Sequence, residues 1–197
     1  MALLRKKTDK KTTKIDKLSS ASIITSCTKV QGDFVGGDTI HIDGNVIGNI
    51  TVTNTVVIGK SGVVEGNVEA KHVIINGQLK GSVKCEKLEV LTSGKVSKYI
   101  EGKELILEGD ITGDITGHES IDVLEKSTVH AICIKSKKIT VAGKIKGTVL
   151  ASELLEIKAK GFVEGQISAK SIKTEEGGRM VGTMSTYEEE KKVPKKK

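Results

Sequence analysis

The chain has 197 residues, 37% of them apolar, with two Phe, two Tyr, no Trp, 22 Gly and a single proline, Pro194. High glycine without matching proline or a strict short period excludes collagen and low-complexity chains, and a core this poor in aromatics must be filled by Val, Ile and Leu. The net charge of +7 sits at the ends: residues 1–29 hold eight Lys or Arg against two Asp, so the near-neutral body excludes a basic nucleic-acid cleft.

Residues 1–29 read as a disordered basic tail. Met1-Ala2-Leu3-Leu4 is too short for a secretory h-region, and its charges follow it instead of preceding it. Met1, Leu3 and Leu4 can enter a membrane interface while Arg5, Lys6 and Lys7 rest on anionic headgroups, at about 1 kcal/mol per basic residue. One such tail binds weakly, but a polymer displaying many tails binds firmly. No apolar run in the sequence approaches the ~18 residues of a membrane span.

Residues 30–184 are governed by a repeat of the form Gly-x-apolar-x-Gly. Copies start at Gly44, Gly62, Gly77, Gly94, Gly109, Ser127, Gly143, Gly161 and Gly178, spaced by 15 to 18 residues. A further copy from Gly32 to Gly36 lies 12 residues before Gly44, which gives a short first coil. Aligned, the copies form apolar ladders. Two residues after the starts come Val46, Val64, Leu79, Val96, Ile111, Val129, Ile145, Val163 and Met180; six after come Ile50, Val68, Val83, Ile100, Ile115, Cys133, Val149, Ile167 and Met184. Apolar pairs one residue apart follow, such as Val56/Ile58 and Leu105/Leu107. Eight after the starts, small residues mark a bend, broken at Lys135.

A spacing of two is the strand period. Each copy therefore supplies about three short strands, and ~17 residues leave no room for hairpins or crossover helices. The chain must coil, so that each strand pairs in parallel with its counterpart one turn later. One coil buries four to six aliphatic side chains at ~1.5–3 kcal/mol each, against ~1–2 kcal/mol of backbone entropy per residue. It cannot stand alone, and stacking makes it stable. The expected fold is all-β: a single-stranded parallel β-helix of nine to ten coils, roughly 45 Å long at ~4.8 Å per coil. Residues 185–197 read as a disordered charged tail.

This pattern resembles the bactofilin family from about Gly32 to Met184. Ile40-His41-Ile42-Asp43-Gly44-Asn45-Val46-Ile47-Gly48-Asn49-Ile50 is similar to the family's opening phrase, and Glu175 to Gly182 to its last coil. The resemblance implies a right-handed, roughly triangular solenoid. It also implies a cytoplasmic protein, peripheral at the inner face of the cell membrane, that forms nonpolar filaments without nucleotide. Such filaments scaffold cell-wall, shape-determining or motility factors. Many members carry an aromatic in the terminal coil, where this chain has Met180, an adaptable apolar residue.

Solenoid ends are open sheet edges that invite stacking unless capped. The expected end contacts are Phe34, Ile40, Phe162, Met180 and Met184, with Ser22 to Thr25 available as a cap. The partners expected are further copies of the chain, anionic lipid and morphogenesis proteins; nucleic acid and small-molecule substrates are not expected. Cys27, Cys85 and Cys133 are odd in number and lack CxxC spacing, which fits a reducing compartment. His41, His72, His118 and His130 fall at four different offsets and do not converge on a metal. No catalytic residue or cofactor is expected. A hexapeptide-type transferase would need regular six-residue phasing, which is absent here. A capped monomeric adaptor differs from the filament reading only in not polymerising.

Overall fold

The computed structural model describes residues 21–187. Among these there are twenty strands and no helix, and every pairing is parallel. The chain is a β-solenoid of about ten coils, each with three faces. The first coil runs through β2 (Lys29–Gln31), β3 (Phe34–Gly36) and β4 (Thr39–Ile42), one strand per face, and β1 (Ala21–Ile24) precedes it on the third face. The second coil repeats the path through β5 (Asn45–Ile47), β6 (Ile50–Val52) and β7 (Thr55–Ile58).

The ladders fill the interior. On the first face Val46, Val64, Leu79, Ile111, Val129, Ile145 and Val163 are each at most 1% exposed, and Val96 is 2%. Ile50, Ile100 and Val149 line the second face, and Val56, Leu105 and Leu155 the third; all are buried. The aliphatic side chains stack like on like because each strand pairs in parallel with its counterpart in the next coil, core position opposite core position.

Three features depart from the expected phasing. The solenoid already includes Ala21–Ile24, ahead of the expected boundary at residue 30, because this segment pairs with Thr39–Ile42. Gly32 matches the second glycine of the motif, not the first: Lys29-Val30-Gln31 pairs with Asn45-Val46-Ile47, and Phe34 stacks on Ile50. The first coil is therefore of full length. In the coil beginning at Ser127, Ile134 and not Cys133 is the core residue. His130 pairs with Lys146 but Cys133 with Thr148, so one residue is looped out and Ile132 stands 82% exposed. The same shift puts Ser136 opposite Ala151 at the bend, where Lys135 had seemed to interrupt the small residues.

The drift in period comes mainly from the corner after the third face. Four-residue turns at Gly59–Gly62, Leu91–Gly94, Leu124–Ser127 and Lys158–Gly161 are closed by bonds in which the last amide donates to the first carbonyl, at 2.7 to 3.0 Å. Between them the chain passes this corner in two residues, as at Asp43-Gly44 and Asn76-Gly77. Long and short corners thus alternate as far as Gly161, with two coils as the repeating unit, but the next corner, Glu175–Gly178, is again a four-residue turn whose last amide donates to the first carbonyl at 3.0 Å.

At the corner between the first two faces the chain turns through a positive φ. Gly165 has φ +139, and a Cβ there would overlap the carbonyl oxygen of Gly147 in the coil below. Lys98 occupies the same ladder position at φ 101, where the other coils have glycine except for Ala131.

Candidate functional site

The two ends of the rod are the chemically unusual places on this surface. Within the described residues, β1, β2 and β3 each pair on one side only, with β4, β5 and β6. At the other end Ile172–Thr174 and Arg179–Thr186 also pair on one side only. Each end therefore presents a row of backbone amides and carbonyls with no strand partner.

The side chains beneath these edges continue the core ladders. Val30 and Phe34 at the N-terminal end, and Ile172 and Met180 at the C-terminal end, are partly buried against the core. Met184 pairs with buried Ile167 and lies at the ladder's end, so it is 55% exposed. Of the expected end contacts, Phe34, Met180 and Met184 occupy terminal coils. Ile40 does not lie at an open edge: although it belongs to the first coil, Ser22 stacks on it and leaves it 1% exposed. Phe162 does not either, since it sits on the outer side of its strand and Arg179 stacks above it. Met1, Leu3, Leu4, Arg5, Lys6 and Lys7 lie outside the described residues.

Polar side chains lock the terminal coils to their neighbours. Near the N-terminal end Asp33 Oδ1 accepts from the Asn49 amide at 2.7 Å, Asn49 Oδ1 from the Asn67 amide at 3.1 Å, and Asn67 Oδ1 from the Ser82 amide at 3.2 Å. This ladder escaped the sequence reading, although Asn49 and Asn67 share one offset. Near the C-terminal end Lys158 Nζ reaches Glu156 at 3.1 Å and Glu175 at 2.9 Å, while Lys173 Nζ reaches Glu156 at 2.7 Å. Hydrogen bonds from Lys173 and then Lys158 hold the Glu156 carboxyl below its ordinary pKa, and the bond from Lys158 does the same for Glu175.

No group of three or more His, Cys, Asp or Glu capable of holding a metal occurs among the described residues. His41 pairs with Asp43 at 3.0 Å and His118 with Glu101 at 3.2 Å, on separate coils. Cys27 is exposed, and burial pushes the Cys85 thiol up to about 12. No helix among the described residues is long and apolar enough to cross a membrane.

The comparisons agree with this geometry. A family model described as "Bactofilin: Polymer-forming cytoskeletal" matches residues 22–108 and again 99–185. Bactofilin BacO of Myxococcus xanthus (strain DK1622) is 26% identical over 110 residues, 55% of this chain and 86% of that protein. Bactofilin BacP of the same strain is 28% identical over 79 residues, 40% of this chain and only 33% of that longer protein. No solved structure matches. With the family model covering the solenoid from end to end, the chain belongs to the bactofilin family of polymer-forming cytoskeletal proteins.

Proposed function

We propose that this chain is a structural scaffold, not an enzyme, that stacks end to end without nucleotide into nonpolar filaments. They lie at the cytoplasmic face of the cell membrane and position cell-wall, shape or motility factors. One observation carries the reading: among the described residues, both terminal coils end in strands paired on one side only, over partly exposed core side chains. A second copy placed on such an end would satisfy the open backbone groups and bury Phe34 or Met180 and Met184. Family membership supports polymer formation.

Membrane attachment rests on the first seven residues, through apolar insertion of Met1, Leu3 and Leu4 and contact of Arg5, Lys6 and Lys7 with anionic headgroups. Deletion of residues 1–7 is expected to release polymers from anionic liposomes while leaving polymerisation intact. Cosedimentation of the truncated protein with those liposomes at wild-type levels would refute the attachment.

The test of assembly is negative-stain electron microscopy of the wild-type protein beside Met180→Arg at physiological salt. Filaments in the first that disappear in the second are expected. Short uniform rods in both samples would leave a capped solenoid adaptor instead.

A further inference from the structure

We infer that two rods also pair side by side, antiparallel, through the second face, with a second copy of this chain as the occupant. Along the middle of that face one outward residue per coil forms a continuous row. The row passes Lys84, Glu101, Thr116, Lys135 and Leu150, in register from coil to coil. A twofold axis through Thr116 brings Thr116 against its mate and sets Glu101 opposite Lys135 of the second copy, twice. One step further out Lys84 meets Leu150. The 380 Å³ depression between Lys84 and Tyr99 lies opposite that leucine and can receive it. Beyond these, Glu69 meets Ser168, so no like charges oppose each other along the central row.

Apolar anchors fall where the same axis needs them. Tyr99 is 39% exposed and Ile132 is 82% exposed, at the edge of this face one coil before and one coil after the coil of Asp114. The operation brings Tyr99 of one copy beside Ile132 of the other. Tyr99 replaces the polar residues that occupy this corner at Asn49, Asn67 and Ser82, and Ile132 is the extra residue looped out just before Cys133, which takes the corner position in its coil. Departures from a repeat that its own register does not require mark a surface with a further task. The overlap spans nine coils, about 38 Å at ~4.8 Å per coil. With a face roughly 15 Å wide this gives about 600 Å² per copy, approaching the ~800 Å² of a stable interface.

The third face cannot pair this way, because the corresponding axis there sets Asp122 against its mate and Glu89 against Glu156. On the second face, like charges approach at the edges: Asp114 with its mate, Lys103 with Lys137 and Lys71 with Lys170. The lysines are exposed and water-screened, the Asp114 carboxylate accepts from the Cys133 amide at 3.0 Å, and Lys103 already pairs with Glu86 at 2.9 Å.

The test uses full-length Glu101→Lys and Lys135→Glu, alone and mixed. Sedimentation velocity detects side-by-side pairs even where no filament forms, so its outcome is separable from that of end-to-end stacking. Each single variant places like charges at both contacts, and pairing is expected to weaken at least about tenfold. An equimolar mixture restores opposite charges at both contacts of a mixed pair and is expected to recover pairing. Ile132→Asp is expected to weaken pairing in the wild-type background, with filament width in negative stain falling to one rod. Variants that pair as the wild type does, or a mixture that recovers nothing, would overturn the proposal. So would wild-type protein showing no side-by-side species.

Discussion

Met184→Arg tests the joint where its chemistry is sharpest. Met184 continues a fully stacked ladder but is 55% exposed because no coil among the described residues lies above it. A second rod on this end would bury the remaining half of the side chain, worth about 1–1.5 kcal/mol by the usual transfer value for methionine. An arginine there leaves an unpaired guanidinium under the joint, which costs about 3–5 kcal/mol. The sum exceeds ~4 kcal/mol, or roughly three decades in the equilibrium constant. In a nonpolar filament two C-terminal ends meet, so each such joint takes two guanidiniums and the figure is a lower bound. The N-terminal joint is untouched, and the variant should therefore stop at two-rod pieces. Pelleting measures the critical concentration and electron microscopy the piece length, with circular dichroism confirming an intact solenoid. Met184→Leu should polymerise as wild type does. A folded Met184→Arg protein with a critical concentration within about tenfold of wild type would refute the reasoning.

Three further outcomes are expected. Gly165→Ala must hold a side chain at φ +139 against the Gly147 carbonyl; strain of about 1–3 kcal/mol plus the overlap should exceed ~3 kcal/mol. That predicts a melting point lower by roughly 6–12 °C in a thermal scan. The depressed carboxyls of Glu156 and Glu175 contribute stability that is present above their ordinary value of 4.5 and is lost as pH falls below it through their folded-state values. Protection factors of the Ile172–Thr186 amides, each rate taken against the intrinsic rate at the same pH, should fall as pH drops below about 4.5, and Glu156→Gln should flatten that dependence. Thiol labelling at neutral pH should be fast at exposed Cys27 and slow at Cys85, whose thiol is pushed to about 12; a fast phase that survives Cys27→Ser would contradict this.

The solenoid was legible in the sequence because its two periods are physically independent. Alternation of two fixes which side chains face inward, and a repeat near 17 fixes which residues stack, so Val46, Val64 and Leu79 can be assigned without coordinates. Spacing counts residues but does not locate an extra one. It gave Cys133 in place of Ile134, because the loop at Ile132 depends on the Cys133 amide reaching Asp114 Oδ1 at 3.0 Å in the preceding coil. It also placed Phe34 on the wrong ladder, since two glycines four apart look alike until the pairing of Gln31 with Ile47 identifies which one Gly32 is.

The ends show the same division. Ile40 reads as an early core residue and thus as a terminal one. Only the pairing of Ser22 with Ile40 reveals a strand above it, because the partner belongs to a segment outside the glycine repeat. Composition and periodicity determined by themselves that this chain coils into a parallel β rod with an aliphatic core. The tertiary structure decided that Ala21–Ile24 joins the rod, how its corners vary and which of the described side chains remain uncovered, since these depend on hydrogen bonds and stacking between residues some sixteen to nineteen positions apart.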